Sequence, residues 1–510
     1  PDRSGLEPEA IVGESTAANY VHLPDALLFQ RFNAAYDVRA CNSTGCSEWT
    51  AAVAPIAVKA MGYIKADEID PIDFFGSSVA LSADGKTMVV GMPNEDGSGS
   101  STAGAVNDGA QDAGAAYVFT RTAQGWQRQA YLKASDAKQG DKFGYSVAIS
   151  ADGNTIAVGA HLEDGGPDPS APDQPSTLDS GAVYVFARAG TQWSEQERLK
   201  AENAGAEDQF GIAVALSANG DTLAVGAHFE DGLTDSTTQS GAAYVFTRTG
   251  SAWAQHQYLS ASPGYSDLFG SSVALSGDGN LLAVGAQFDT GAVFGSGAVH
   301  VFARQGAAWS QPVLVKPTVG QHEDRFGESI ALSSDGNTLI VGASGEDGGS
   351  SGLTGDPADD SKLDAGAAYV FTRDGSMWQQ QLYVKASNTD AGDQFGRSVS
   401  VSADGTMFVV GAINERSAAT GINGNQLDNS RPQRGAAYVF ARNGSAWSNR
   451  AYLKPSNLTL GAPSFGRSVA IAGNASIIAV GATGENGNSP GVQGDQAAQD
   501  ASAAGAVYLY

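Results

Sequence analysis

The chain has 510 residues, 55 acidic against 29 basic side chains, and a formal net charge of −26 at pH 7. That balance argues against nucleic acid and against anionic membranes, since both reward Lys and Arg. No apolar stretch reaches the roughly 18–20 residues a spanning helix needs, so membrane insertion is not expected, and the 65 glycines fit many tight turns between short strands.

The chain starts at Pro1, without Met or a signal-peptide pattern, and reads as a mature product or a fragment with further domains upstream. Residues 1–54 stand apart from the rest. AAYDVRACNSTGCSEWTAAV alternates apolar and polar residues on both sides of a turn, which predicts a hairpin. Cys41 and Cys46 are the only cysteines. Their spacing across that turn fits a disulfide and an oxidising compartment, the other reading being a pair of free thiols. The segment resembles the last two strands of a fibronectin type III domain, a partial β-sandwich. Residues 55–60 follow as a short linker.

From residue 61 to 510 one unit recurs seven times. Its copies open at Phe75-Gly76, Phe143-Gly144, Phe210-Gly211, Phe269-Gly270, Phe326-Gly327, Phe395-Gly396 and Phe465-Gly466. In the third copy IAVALS, TLAVGA, AAYVFTR and WAQHQYLSA read as four strands in order, with the turn SANGD between the first two. The first two strands are nearly all apolar or small, as for strands buried on both faces. Six copies carry one Trp on the fourth strand (Trp126, Trp193, Trp253, Trp309, Trp378 and Trp447), a register that predicts core anchors. Seven units that cannot bury an apolar face alone predict an all-β, seven-bladed β-propeller of four-stranded blades. The last copy stops at a third strand, GAVYLY (505–510), whereas MGYIKA (61–66) matches a fourth-strand ending. Residues 58–66 are therefore expected to complete the last blade and close the ring.

The pattern FG-x-SVA…VGA…GAxYVF resembles the FG-GAP repeats of the integrin α-subunit propeller, and more closely those of bacterial secreted and surface proteins. The resemblance covers all seven copies. It implies a propeller used for adhesion or as an interaction platform, extracellular and without enzymatic activity. One departure is clear. Integrin-type repeats bind calcium through a DxDxDG loop between the first two strands, and here that turn is only SADGK, SADGN, SANGD, SGDGN, SSDGN, SADGT or AGNAS. Each offers one or two side-chain oxygens, which suit a tight turn rather than a calcium cage.

The strand order puts those short turns on one face of the disc and the long, variable loops on the other, where binding is expected. Acids recur there in register. Glu95, Glu163, Glu230, Asp289, Glu346, Glu415 and Glu485 follow the second strands, and Asp73, Asp141, Asp208, Asp267, Asp324 and Asp393 precede the Phe-Gly pairs. Asp96, Asp164, Asp231 and Asp347 adjoin the Glu series, and Asp112, Asp179 and Asp364 close the loops. Two readings stand: hard-oxygen ligands for Ca²⁺, or caps on backbone amides where strands enter turns. Arg325, Arg397, Arg416, Arg431, Arg434 and Arg467 gather in copies five to seven. As a basic patch they would receive a carboxylate or acidic sugar, the alternative being salt bridges to neighbouring acids.

The six histidines form no ligand spacing, and no GxSxG, phosphate-cradling loop or Cys nucleophile is present. No organic cofactor is expected. The first expectation is a bacterial secreted or cell-surface module whose long-loop face binds a protein or glycan, with Ca²⁺ assisting. The alternatives are a structural subunit of an extracellular assembly and a calcium-dependent hydrolase or lyase. The last would need Lys, Arg, His or Tyr around its acids.

Overall fold

The computed structural model describes residues 61–98, 109–167, 174–233, 239–261, 267–291, 293–457, 461–496 and 500–510, with the backbone of Cys41–Asn42 and Gly45–Cys46. Segment 1–54, linker 55–60 and the start of the strand expected at 58–66 lie outside these residues, except for a two-residue hairpin pair in which Cys41 faces Cys46. Seven antiparallel sheets follow one another along the chain. Within each, neighbouring strands in sequence are neighbours in space. Blade 3 is typical, with strands Ala213–Leu216, Thr222–Ala227, Ala242–Thr249 and Ala252–Leu259. In blade 4 the outer strand is broken into Ala308–Trp309 and Val313–Val315. In the seventh sheet the fourth strand is Gly62–Ile64, paired with Ala506–Leu509 so that Tyr63 faces Tyr508.

The burial pattern follows from composition. The second strands, such as Thr155–Ala160, are buried at every position, because their small and β-branched residues face a neighbouring blade on each side. The third strands are buried over their first five residues and emerge at the outer rim. There Arg188 lies 5.4 Å from the Trp193 ring centroid, and Arg248 and Arg442 sit over Trp253 and Trp447 in the same way.

Each Phe-Gly pair joins two blades. Phe143 packs edge-on against Tyr184 and Phe186 of its own blade while its amide donates to the Ala113 carbonyl of the blade before, at 3.0 Å. Ser78 Oγ of that earlier blade donates to the Gly144 carbonyl at 2.9 Å. The backbones approach so closely that a Cβ on Gly91 would fall 1.9 Å from the Gly144 oxygen. Closure between blades 7 and 1 repeats these contacts: Phe75 N donates to Ala504 O at 2.9 Å, and Ser468 Oγ to Gly76 O at 2.8 Å.

The short turns form a ring of their own. Ala83 N donates to Ala151 O, Ala151 to Ala218, Ala218 to Gly277, Gly277 to Ser334, Ser334 to Ala403 and Ala403 to Gly473, and Asn474 N returns to Ala83 O at 2.9 Å. Inside the turns the Asp or Asn is used locally, as where Ser150 Oγ donates to Asp152 and Asp152 accepts from the Asn154 amide.

The interblade contact gives a first prediction. Gly91→Ala forces backbone apart and is expected to destabilise by about 3 kcal/mol, the upper end for overpacking. Gly190→Ala has the same chemistry, but nothing lies within 4 Å of its Cβ and only the φ of +65° opposes it, so about 1 kcal/mol is expected. Thermal denaturation of the two variants would refute the clamp if they lost equal stability.

Candidate functional site

The long-loop face carries the residues singled out in the sequence, and their side chains divide into three groups. The registered glutamates point inward. Glu95 accepts from Lys133 Nζ at 2.8 Å and from the Tyr131 hydroxyl at 2.7 Å. Glu163 is held by Lys200 and Arg198, both at 2.6 Å. Glu346 takes Lys385 and Tyr383, Glu415 takes Lys454 and Tyr452, and Glu485 takes Lys65 and Tyr63. In blade 4 the acid is Asp289, 2.7 Å from Lys316. These lysines end the fourth strands and, except for the partly exposed Lys316, are nearly as buried as their partners. Lys133 and Lys65 also donate to the carbonyls of Gly114 and Gly505, which open the third strands. One ammonium thus ties three strands of a blade. Burial pulls Lys200 down to about 8, against the nearby Glu163 carboxylate that holds its proton on.

Blade 3 breaks the rule, because Ser260 stands where the lysine would be. Glu230 takes the Tyr244 hydroxyl at 2.6 Å and Asn203 Nδ2 at 2.7 Å. Burial, then the Asp208 carboxylate, raises its pKa to about 8.

The aspartates cap backbone. Asp96, Asp164 and Asp347 accept from the amides of Asp112, Asp179 and Asp364 at 2.8, 2.9 and 2.7 Å. The capped residues have φ of 56°, 53° and 48°, a left-handed conformation that Asp tolerates better than most. Asp231 holds the Gln239 amide in the same way. In the series before Phe-Gly, Asp73, Asp141, Asp324 and Asp393 each accept from the amide three residues back. Burial outweighs those bonds and raises Asp73 and Asp141 to about 8 and Asp324 and Asp393 to about 7. Among the described residues no group of three His, Cys, Asp or Glu converges as a metal site would require.

The arginines do not form one patch. Arg416 reaches the Ala391 carbonyl at 3.1 Å on the loop face. Arg434 is buried where the blade-6 loop closes, and burial together with Arg431 lowers its pKa. Arg397 and Arg467 belong instead to the innermost strands, which pack against one another around the axis. Arg397 pairs with Glu328 at 3.2 Å. Arg325, immediately before Phe326, has a buried Nε without a partner.

The residues missed in the sequence are the lysines. Lys65, Lys133, Lys200, Lys316, Lys385 and Lys454 recur at one register position, so their periodicity was as readable as that of the acids.

Two outcomes follow. Lys385→Met leaves Glu346 buried and unpaired, at an expected cost of about 3–5 kcal/mol, and adding Glu346→Leu restores most of it; a denaturation cycle in which the double variant is no better than the single would refute the pairing. For pH, the raised carboxyls bind protons more tightly folded than unfolded. Their stabilising contribution is full below about pH 4 and is lost as pH rises through 7–8. Lys200, lowered to about 8, works in the opposite sense and adds stability only above about pH 8. The melting temperature is therefore expected to be higher at pH 5.5 than at pH 8.5, with a shallower slope in Glu230→Gln, and a flat profile would refute the assignment.

A family model described as FG-GAP repeat matches residues 126–186, 193–246, 253–302, 309–371 and 378–440, more than half of the chain. No curated protein matches its sequence. Among solved structures, hydrazine synthase of Kuenenia stuttgartiensis aligns over 82% of this chain and 94% of that one, at 12% identity and a TM-score of 0.46. A likeness that distant carries nothing about activity.

Proposed function

The chain belongs to the FG-GAP repeat family, and we propose that it is a non-enzymatic extracellular interaction module whose long-loop face binds a protein or glycan. The observation that carries this reading is the distribution of exposed apolar side chains. Ile72, Leu178, Leu233, Val293, Phe294, Leu363 and Leu427 all lie in loops of that face, with Leu427 86% and Leu363 68% exposed, while Val313, Leu314 and Met377 are on outer strands. Such side chains contribute little to a ring already joined by its Phe-Gly contacts, and apolar anchors spread on a polar, acidic surface suit a partner that buries them.

The reading as a hydrolase or lyase finds less support. Most of the lysines and tyrosines nearest the registered acids are buried and used in holding strands together, so they are not free for the chemistry such a reaction requires. Calcium would have to displace a buried ammonium to reach Glu95, Glu163 or Glu346, so the reading does not depend on it. An oxidised Cys41–Cys46 pair would accompany display at a bacterial surface.

The test compares the parent chain with a Phe294→Ser, Leu363→Ser, Leu427→Ser triple variant on a glycan array and a panel of surface and matrix proteins. The variant is expected to melt with the parent and to lose at least tenfold in affinity for whatever the parent binds. Equal binding by both, or no binding by the parent, would sink the proposal. Concentration-dependent self-association lost in the variant would favour a structural subunit instead. A parallel melt in EDTA against millimolar Ca²⁺ is expected to show no shift, whereas stabilisation approaching the roughly 2.7 kcal/mol of a hundredfold excess over Kd would restore a cation to the loops.

A further inference from the structure

The residue after each Phe-Gly pair stands on the innermost strand, at the loop-face end of the axis. Around the ring these are Ser77, Tyr145, Ile212, Ser271, Glu328, Arg397 and Arg467. They are half-buried. Arg467 lies beside Arg397 on the next strand and within reach of the Tyr145 hydroxyl two strands away, past the small Ser77. The Tyr145 ring sits 4.1 Å, centroid to centroid, from the His161 imidazole. His161 is buried, and its Nδ1 has no hydrogen-bond partner. On the other side Glu328 accepts from Ser344 and pairs with Arg397.

The charges in this mouth do not balance. Among the described residues Glu328 is the carboxylate within ion-pair distance of Arg397, at 3.2 Å, and it acts on Arg467 from farther off. Burial and Arg397 together push the Arg467 guanidinium below its usual range. Burial drives His161 down to about 3 and His228 to about 4, so both imidazoles are neutral at pH 7 and available as donors. In a chain of net charge −26, two guanidiniums face one carboxylate where the innermost strands converge on the loop face. A desolvated cation without a counter-charge is costly unless something anionic arrives. Guanidinium offers a planar fork that matches an oxyanion.

We propose that the axial mouth is a binding site for one small oxyanion, a carboxylate or a sulfate, held by Arg467 and Arg397 and oriented by the Tyr145 hydroxyl and the His161 imidazole. The opposite end of the axis is tied by the backbone ring of short turns, so the ligand enters from the loop face. The site is separate from the apolar loop residues, and either assignment can fail alone.

The test is calorimetric titration of the whole chain, in low-salt buffer free of competing oxyanions, with sodium acetate, sodium glucuronate and sodium sulfate. At least one is expected to bind at one per chain, weakening as salt rises. Affinity is expected to fall at least tenfold in Arg467→Met and in Arg397→Met and to be unchanged in Arg416→Met. The order among the probes identifies the source: glucuronate above acetate marks an acidic sugar, and sulfate above both marks a sulfated one. Without added anion, Arg467→Met is expected to melt at or above the parent temperature, because it removes an unbalanced charge. No binding by any probe, binding unaffected by both axial substitutions, or a large loss of stability in Arg467→Met would overturn the proposal.

Discussion

The structure depends on the approach of one blade's backbone to the next at the Phe-Gly pair. Two glycines, one from the VGA strand and one from the following Phe-Gly, are within contact distance through a single carbonyl oxygen, so no side chain fits between them. The phenylalanine can then dock its amide just ahead of the preceding blade's third strand while its ring fills the space between blades, and a serine on the preceding blade's innermost strand completes most of these contacts through its hydroxyl. Repeat units of this kind gain stability mainly from their neighbours. A ring made this way has no end blade, and the contacts between blades 7 and 1 match the others in kind and in length.

This constraint explains where the charges went. Strands held so tightly leave their ends, where they turn onto the loop face, as the places with buried unmet polar groups. A glutamate at the end of the second strand and a lysine at the end of the fourth meet there, and the ammonium also takes up the carbonyl that begins the third strand. The neighbouring aspartate holds the amide of the residue that must turn left-handed before that strand starts. A face that looks like a reservoir of calcium ligands is largely an arrangement of caps and internal ion pairs. What remains free to meet a partner is what the caps do not use: apolar side chains at the loop tips, and the guanidiniums at the axis.

Much of this was legible in the sequence, and the remainder was not for definite reasons. Strand order, the four-stranded unit, the two unlike faces and the capping alternative follow from alternation, turn residues and register. The lysine partners are separated from their glutamates by about 40 residues and by two intervening strands, so spacing alone does not pair Glu95 with Lys133, although both series recur with the repeat. The arginines illustrate a different obstacle. Arg325 and Arg397 each lie next to a Phe-Gly pair, yet one precedes the phenylalanine at a positive φ and the other follows the glycine onto the innermost strand. Adjacency in sequence suggested one patch; the reversal of direction at the glycine separates the mouth of the axis from the loop surface.

Blade 3 shows how far the repeat can depart from its own rule. Ala213 stands where other blades have the serine that bonds to the next Phe-Gly carbonyl, and Ser260 stands where they have the lysine. The Phe269 amide contact to Ser240 is 3.3 Å, longer than the 2.9 Å at Phe75. The outer strand of the following blade is also broken. The hydroxyl is missing at the junction to blade 4, which is held by its glycine approach, the Phe269 amide bond and aromatic packing, and the ammonium is missing within blade 3 itself. Glu230, without that lysine, keeps its own proton up to about pH 8 instead. Protonation substitutes for the lysine only while the solution is acidic enough to supply it. Blade 3 is therefore held at that corner by a proton where its neighbours use an ammonium, and its junction to blade 4, without the serine hydroxyl, has one hydrogen bond fewer than the others.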